Sequence, residues 1–149
     1  MLKGIDHRLN ADVLGTLRAM GHGDYLIVSD TNFPADAIAQ QTTLGYLLRM
    51  ENLTAAEAIN AILSVMPLDT FVDDFAGRMQ VGDDPDEIPP VQAEVAAEVA
   101  AAGETRPLGI NERFDFYDLA KGAYAVIQTG ERRFYGCFML RKGVFPPDE

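Results

Sequence analysis

The first third of the chain alternates between a helical pattern and a strand pattern. One apolar stripe at helical spacing is formed by Val13, Leu14, Leu17 and Met20. Asn10 is a good N-cap for this helix and Gly21 follows its end, so the pattern predicts a helix between these two residues. The aromatic and branched side chains of residues 25–28 then predict a short buried strand. Pro34 suits the first turn of a further short helix that runs through Ala39.

The middle of the chain predicts two more helices with an acidic loop between them. Thr54 and Glu57 form a capping box before an apolar face that ends near Pro67. Residues 78–90 hold a brief apolar patch and then an acidic, proline-bearing segment without the residue order of a calcium loop, which we interpret as solvated surface. Gly103 ends the next helix, whose core positions are Val91, Val95 and Val99.

The last third of the chain predicts one short helix and two strands. Phe114 and Tyr117 indicate the helix, while residues 123–128 and 135–141 are rich in the side chains typical of strands, with a turn at 129–131. Helices that alternate with short, fully apolar strands are typical of an α/β sheet covered on both faces. We therefore expect a single domain over residues 1–149, with three α/β/α layers and a mixed, mostly parallel sheet.

Length and charge narrow the class of protein. The chain has 149 residues, 48% of them hydrophobic, which is enough for one sizeable core. Its formal net charge of -11 repels phosphate backbones, so a nucleic-acid partner is not expected. No apolar run approaches the roughly 18 residues of a membrane-spanning helix, and the charged start of the chain is unlike a secretory signal. We expect a cytoplasmic protein with no membrane partner.

Few residues are available for metal or covalent chemistry. Cys137 is the single cysteine, which excludes an internal disulfide and fits a reducing compartment. His7 and His22 lack the spacing of a metal site, so no metal is expected. The glycines on either side of His22 precede a strand and lack a third glycine, unlike a dinucleotide-binding loop. Cys137 and His22 show no spacing typical of a nucleophile and its base. Taken alone, His22 is more typical of a turn or cap beside a helix end than of a catalyst.

Five segments carry a distinctive order of residues: MGHGDYLIVSDTNFPA, INERFDFY, AYAVIQTGE, FYG and LRKGV. Together they resemble the L-fucose mutarotase and D-ribose pyranase family, and their order and spacing fit it over nearly the whole chain. Residues 40–107 match the family only in general character. The Phe33-Pro34 pair is closer to the fucose branch than to the ribose branch.

The resemblance implies roles for individual residues. It identifies His22 with the proton-donating histidine of the family and Asp30 with a sugar-binding aspartate. Arg113 matches the arginine that contacts the sugar in the fucose branch, and Tyr135-Gly136 matches the start of a substrate-binding Tyr-Gly-Asn tripeptide. Cys137 stands where the family usually has asparagine. A thiol is a weaker hydrogen-bonding group than a carboxamide, so this departure bears on which sugar is bound.

The implied reaction interconverts the α and β anomers of L-fucose or a related aldopyranose by opening and closing the hemiacetal ring. His22 protonates the ring oxygen, since histidine exchanges protons readily near neutral pH. Asp30 and Arg113 hold sugar hydroxyls, and Tyr117 or Tyr135 stacks on the ring or relays a proton. The general base is not identified by the sequence. This chemistry requires no cofactor, metal or covalent intermediate.

Two alternatives stay open. A D-ribose pyranase would exchange pyranose and furanose forms, although residues 30–34 and Arg113 favour the fucose branch. The second alternative is a monosaccharide-binding accessory protein that does not catalyse the reaction. It is kept open because Cys137 replaces the asparagine that the family usually has. The resemblance also implies a ring-shaped homo-oligomer, a decamer in known members, with each sugar site shared between subunits.

Overall fold

The computed structural model describes residues 1–148, and in this range five helices alternate with six strands. The helices are α1 (Ala11–Ala19), α2 (Ala35–Ala39), α3 (Ala55–Leu63), α4 (Pro90–Ala101) and α5 (Arg113–Lys121). The strands are β1 (Tyr25–Ser29), β2 (Leu48–Met50), β3 (Ala76–Met79), β4 (Gly109–Asn111), β5 (Ala125–Thr129) and β6 (Phe138–Arg141). Within the described range, none of the helices has the length and apolar composition needed to cross a lipid bilayer.

All six strands join one sheet in the order β2-β5-β1-β6-β3-β4. β6 is antiparallel to its neighbours β1 and β3, while the other strand pairs are parallel. At the centre of the sheet, Leu26 of β1 lies opposite Ala125 of β5 and Leu140 of β6. The mixed, mostly parallel sheet predicted from the sequence is confirmed.

Helices cover both faces of the sheet, because successive side chains of a strand point to opposite sides. Leu26 and Val28 of β1 pack into the core formed with α1, α3 and α4. Ile27, between them, packs into the second core, formed with α2 and α5. The three-layer arrangement is confirmed, and it explains why β1 is a continuous apolar run.

Side-chain caps start two of the helices where the sequence predicts them. The Asn10 side chain accepts a 2.9 Å hydrogen bond from the backbone N–H of Val13. The Thr54 hydroxyl accepts a 3.2 Å hydrogen bond from the backbone N–H of Glu57. The helix after Thr54 is shorter than predicted. It ends at Leu63 and does not extend to Pro67. Ser64, which follows Leu63, donates a hydrogen bond from its hydroxyl to the backbone carbonyl of Ala61.

The sequence pattern misses three short strands and misplaces the start of two others. β2 and β4 have only three residues each, and β3 contains Gly77 and a buried Arg78. β5 begins two residues later than expected, because the Ala123 N–H still bonds to the last turn of α5. β6 begins at Phe138, because Tyr135 has a φ of 60°, in the left-handed region that a strand cannot use.

Candidate active site

An open pocket of about 210 Å³ lies at the edge of the sheet where the parallel strands end. Asp30 directly follows β1, and Arg113 opens the helix that follows β4. Tyr135 and Cys137 precede β6, and since β6 runs antiparallel, its start lies at this same edge. Ligands of α/β proteins commonly bind at the carboxyl ends of parallel strands. The fold thus brings together residues from three distant segments of the sequence.

Asp30 holds two walls of the pocket together. Its carboxylate is 3% exposed, and Oδ1 accepts from the backbone N–H groups of Asn32 and Phe33 across 2.9 and 3.0 Å. Oδ2 accepts from the backbone N–H of Gly136 across 3.0 Å. A carboxylate offers about four acceptor positions, so these three bonds leave one for a ligand hydroxyl.

Arg113 and Tyr117 form the polar rim of the pocket on successive turns of α5. The Arg113 Nε donates to the Tyr117 hydroxyl across 3.2 Å, which raises the pKa of Arg113 and keeps it cationic. The guanidinium also lies 5.4 Å from the centre of the Tyr117 ring. That ring and the ring of Phe33 pack edge to face, with 5.3 Å between their centroids. The rim therefore offers a cation and a phenol beside an aromatic wall.

Residues 135–137 form a tight turn that only a small residue permits. A Cβ added to Gly136 would lie 2.9 Å from Glu131 Cγ and 3.3 Å from Asp30 Cβ. The next residue, Cys137, is 2% exposed, and burial and the charge of Asp30 raise the pKa of its thiol well above the ordinary range. Because the thiolate is the nucleophilic form, Cys137 serves this pocket as a neutral, weakly polar wall.

His22 lies at the opposite edge of the sheet. It precedes β1, whose five residues alone span about 16 Å. Its Nε2 lies 3.2 Å from Oδ2 of Asp69, a buried carboxylate whose Oδ1 accepts from the backbone N–H of Phe71. An imidazole held in this way by a carboxylate has a fixed orientation. Of the seven residues predicted for the site, six thus lie together, and His22 does not reach them within one chain.

Five residues at these two sites were absent from the predicted set. Asn32 and Phe33 line the pocket after β1, Met79 lines it at the end of β3, and the ring of Phe134 lies on its rim with 73% exposure. Asp69 faces His22. Asn32 falls inside the motif that carries the family resemblance, but Asp69 and Met79 have no local signal because tertiary pairing brings them to their sites. Among residues 1–148, no group of three His, Cys, Asp or Glu is arranged to hold a metal ion.

Comparison with known proteins shows the family of this chain. Residues 3–145 match the family model of the RbsD / FucU transport protein family. The fucose mutarotase of Homo sapiens is 39% identical over 146 residues, which cover 96% of this chain and 94% of that protein. The crystal structure of protein Atu2016 has 59% identity and a TM-score of 0.95, with coverage of 98% and 97%. The fucose mutarotase of Streptococcus pneumoniae, solved in complex with L-fucose, has 34% identity and a TM-score of 0.86, with coverage of 97% and 100%. A sequence match and a shared fold that both extend over nearly the full length place this chain in the RbsD / FucU family.

Proposed function

We propose that this protein is a sugar mutarotase that interconverts the α and β anomers of L-fucose or a related aldopyranose. The observation that carries the proposal is the pocket beside Asp30, which combines a carboxylate, a guanidinium and phenols with apolar walls in about 210 Å³. Such a mixture suits a monosaccharide, which presents hydroxyls around its edge and C–H groups on its faces. The match over nearly the full length to fucose mutarotases supports the same activity.

The sugar would be held by groups that are already fixed. Asp30 accepts from a ring hydroxyl at its remaining acceptor position, and Arg113 donates to others on the open side. Tyr117 and Tyr135 flank the ring and are the two phenols able to relay the proton of the anomeric hydroxyl. Because burial and hydrogen bonds hold Asp30 in place before a ligand arrives, little ordering is required on binding.

Catalysis would need a second copy of the chain, because His22 lies at the far edge of the sheet from its own pocket. Three aromatic rings support such contacts: Phe71 beside His22 is 74% exposed, and Phe114 and Phe134 beside the pocket are 64% and 73% exposed. If the end of the sheet that carries His22 in one copy contacts the end that carries the pocket in the next copy, these rings become covered. The His22 of the first copy then reaches the sugar bound to the second. We propose a ring-shaped homo-oligomer of this kind, a decamer by family resemblance.

In the proposed reaction His22 acts as the general acid. It protonates the ring oxygen while the anomeric hydroxyl passes its proton through one of the two phenols to water, so the bond between C1 and the ring oxygen breaks and an aldehyde forms. Rotation about the C1–C2 bond and the reverse transfers close the ring in the other anomer. Asp69 holds the imidazole in place through its contact with Nε2. Proton transfer by positioned groups supplies about 10²–10⁴-fold acceleration, which suits a reaction that already proceeds slowly in water.

The test is NMR exchange spectroscopy on L-fucose and D-ribose with the native protein, His22→Ala and His7→Ala. His7 is the matched control, because its side chain is also exposed and lies away from the pocket. We expect fast anomer exchange of L-fucose that His22→Ala abolishes and His7→Ala retains. Faster exchange of pyranose and furanose forms of D-ribose would identify a pyranase instead. Sugar binding with exchange at the buffer rate would identify a non-catalytic sugar-binding protein. This alternative is favoured by the thiol at Cys137, which stands where the family usually has asparagine.

A mixing experiment tests whether each site is shared between copies. His22→Ala and Arg113→Met are each expected to be inactive alone. When the two variants are unfolded and refolded together, roughly a quarter of the sites would take both native residues, one from each copy, and that share of activity should return. No recovery in oligomers that contain both variants would contradict a shared site.

The free, buried Cys137 further supports our proposal of a cytoplasmic location, since reduced thiols persist in reducing compartments.

A further inference from the structure

Gln92 is a fully buried polar side chain in the first turn of α4, where an apolar residue would be expected. Its Nε2 donates to the backbone carbonyls of Met79 and Tyr135 across 2.6 and 3.1 Å. Its Oε1 accepts from Nη1 of Arg78 across 3.0 Å. A side-chain amide has two N–H donors, and here both are used on residues that line the sugar pocket.

Arg78 fixes which way the carboxamide of Gln92 faces. Two carbonyl acceptors lie on one side of the amide and a guanidinium donor on the other, so exchanging the nitrogen and the oxygen would break all three bonds. Arg78 is itself 5% exposed, and its Nη1 and Nη2 also donate to the backbone carbonyls of Glu87 and Pro85. The amide is therefore held rigidly before any sugar binds.

The peptide unit between Tyr135 and Gly136 is held at both of its polar ends. Its carbonyl accepts from Gln92, and its N–H donates to Oδ2 of Asp30 across 3.0 Å. This restraint is needed because Tyr135 has a φ of 60°, which is unfavourable for a residue with a side chain, and because glycine at 136 would permit the peptide to rotate. Rotation would remove the N–H from Asp30 and move the Tyr135 ring.

The same amide also joins the two strands that form the floor of the pocket. The carbonyl of Met79 accepts from Gln92, and the N–H of Met79 donates to the carbonyl of Cys137 across 3.1 Å. The end of β3 and the start of β6 are thereby held in one register beside the pocket. One buried side chain thus connects the two backbone segments that carry Met79, Tyr135 and Cys137.

We propose that Gln92 is a positioning residue of the sugar site: its carboxamide holds the 135–136 peptide and the end of β3 in the arrangement that shapes the pocket. This inference rests on the proposed function, because its effect is read through sugar binding and anomer exchange. Gln92 does not touch the sugar in this proposal. It acts through Tyr135 and Met79, so its loss should weaken binding and slow exchange while leaving the oligomer assembled.

The test compares Gln92→Met with Val95→Ala, a core truncation one turn further along the same helix. Methionine keeps the length of glutamine and removes its hydrogen bonds, whereas Val95→Ala disturbs the packing of α4 and leaves the amide intact. We expect Gln92→Met to lower kcat/KM for the sugar about 10- to 100-fold at a temperature where both variants are folded, mainly through a raised KM. Val95→Ala should retain the native KM. Equal KM values for the two variants would overturn the proposal.

Gln92→Glu is the second variant, in case Gln92→Met does not fold. A carboxylate gains an ion pair with Arg78, which supports folding, but it cannot donate to the two carbonyls. We expect a folded oligomer with a raised KM at pH 7, and a native KM would overturn the proposal. The native protein separates the two hypotheses: absence of exchange in the native protein contradicts the proposed function, whereas native exchange with unaffected Gln92 variants contradicts only the positioning role.

Discussion

Asp30 and Gly136 are separated by 106 positions in the sequence, and a 3.0 Å hydrogen bond from the Gly136 N–H to the Asp30 carboxylate joins them in the pocket. The bond connects the loop after β1 to the turn before β6. Because its acceptor is charged and nearly inaccessible to water, it is stronger than a bond between neutral groups. The shape of the pocket therefore depends on a carboxylate that also lines it.

Replacing Asp30 by asparagine should destabilise the fold and abolish sugar binding. The amide oxygen can still accept from the backbone after β1, but the amide NH₂ then faces the Gly136 N–H, and two donors cannot bond. We expect the free energy of unfolding to fall by about 1–3 kcal/mol in urea denaturation. Asp36→Asn is the matched control, because Asp36 is exposed on α2, and it should be close to neutral. Equal stability of the two variants would contradict this role for Asp30.

Alanine at Gly136 should be strongly unfavourable, whereas alanine at Gly15 should be favourable. At Gly136 the added carbon meets the Glu131 side chain at 2.9 Å, so the turn must move. At Gly15, inside α1, nothing lies within 4 Å, and alanine stabilises a helix by about 0.5–1 kcal/mol relative to glycine. Thermal denaturation should therefore show a lower Tm for Gly136→Ala and a higher Tm for Gly15→Ala. Sugar binding should be lost only in the former.

Glu131 should make stability depend on acidic pH. It is 3% exposed, and although burial alone would raise the pKa of its carboxyl, hydrogen bonds from Arg133 more than compensate and lower it. Arg133 Nε and Nη2 donate to it across 3.1 and 2.9 Å. A carboxyl with a depressed pKa in the folded state contributes stability above its unfolded pKa of about 4.3, and this contribution is lost as the pH falls below that value.

The corresponding experiment is Glu131→Gln with thermal melts from pH 7 to pH 3. The Tm difference between the native protein and the variant should be largest near neutral pH and should shrink below about pH 4. Glu87→Gln serves as the control, because Glu87 is exposed in the acidic loop. A Tm difference for Glu131→Gln that stays constant across this range would contradict the assignment.

Cys137 should be chemically inert in the native protein. Its thiol is buried and its pKa is raised, so little thiolate is available to react. Iodoacetamide at pH 8 should leave the folded protein unmodified by mass spectrometry and alkylate it fully in urea. Rapid alkylation of the folded state would show that the pocket opens to solvent at this residue.

Asparagine at Cys137 should change sugar binding rather than the fold. The position lines the pocket, and a carboxamide adds a donor and an acceptor where the thiol offers weak ones. We expect Cys137→Asn to raise the affinity for L-fucose, as measured by titration calorimetry. Unchanged affinity would show that the residue does not contact the sugar.

Local signals determined most of the elements. The caps at Asn10 and Thr54 and the apolar run of β1 act within a few residues, so they can be read from the chain itself. The short strands were not predicted because they depend on pairing with distant segments rather than on local signals. β3 pairs with residues far away in the sequence, and a Cβ added to Gly77 within it would lie 2.7 Å from the amide nitrogen of the Asn111 side chain, which would have to move.

The sequence by itself determined the α/β class, the resemblance to a sugar-converting family and most of the residues around the pocket, because these depend on local propensity and on motifs of adjacent residues. Only the tertiary structure decided that His22 pairs with Asp69 at one edge of the sheet while Asp30 and Arg113 meet at the other. Only the tertiary structure placed Gln92 against the turn at Tyr135. These relationships arise from strand order and chain direction, which place residues from distant segments side by side, and no local pattern encodes them.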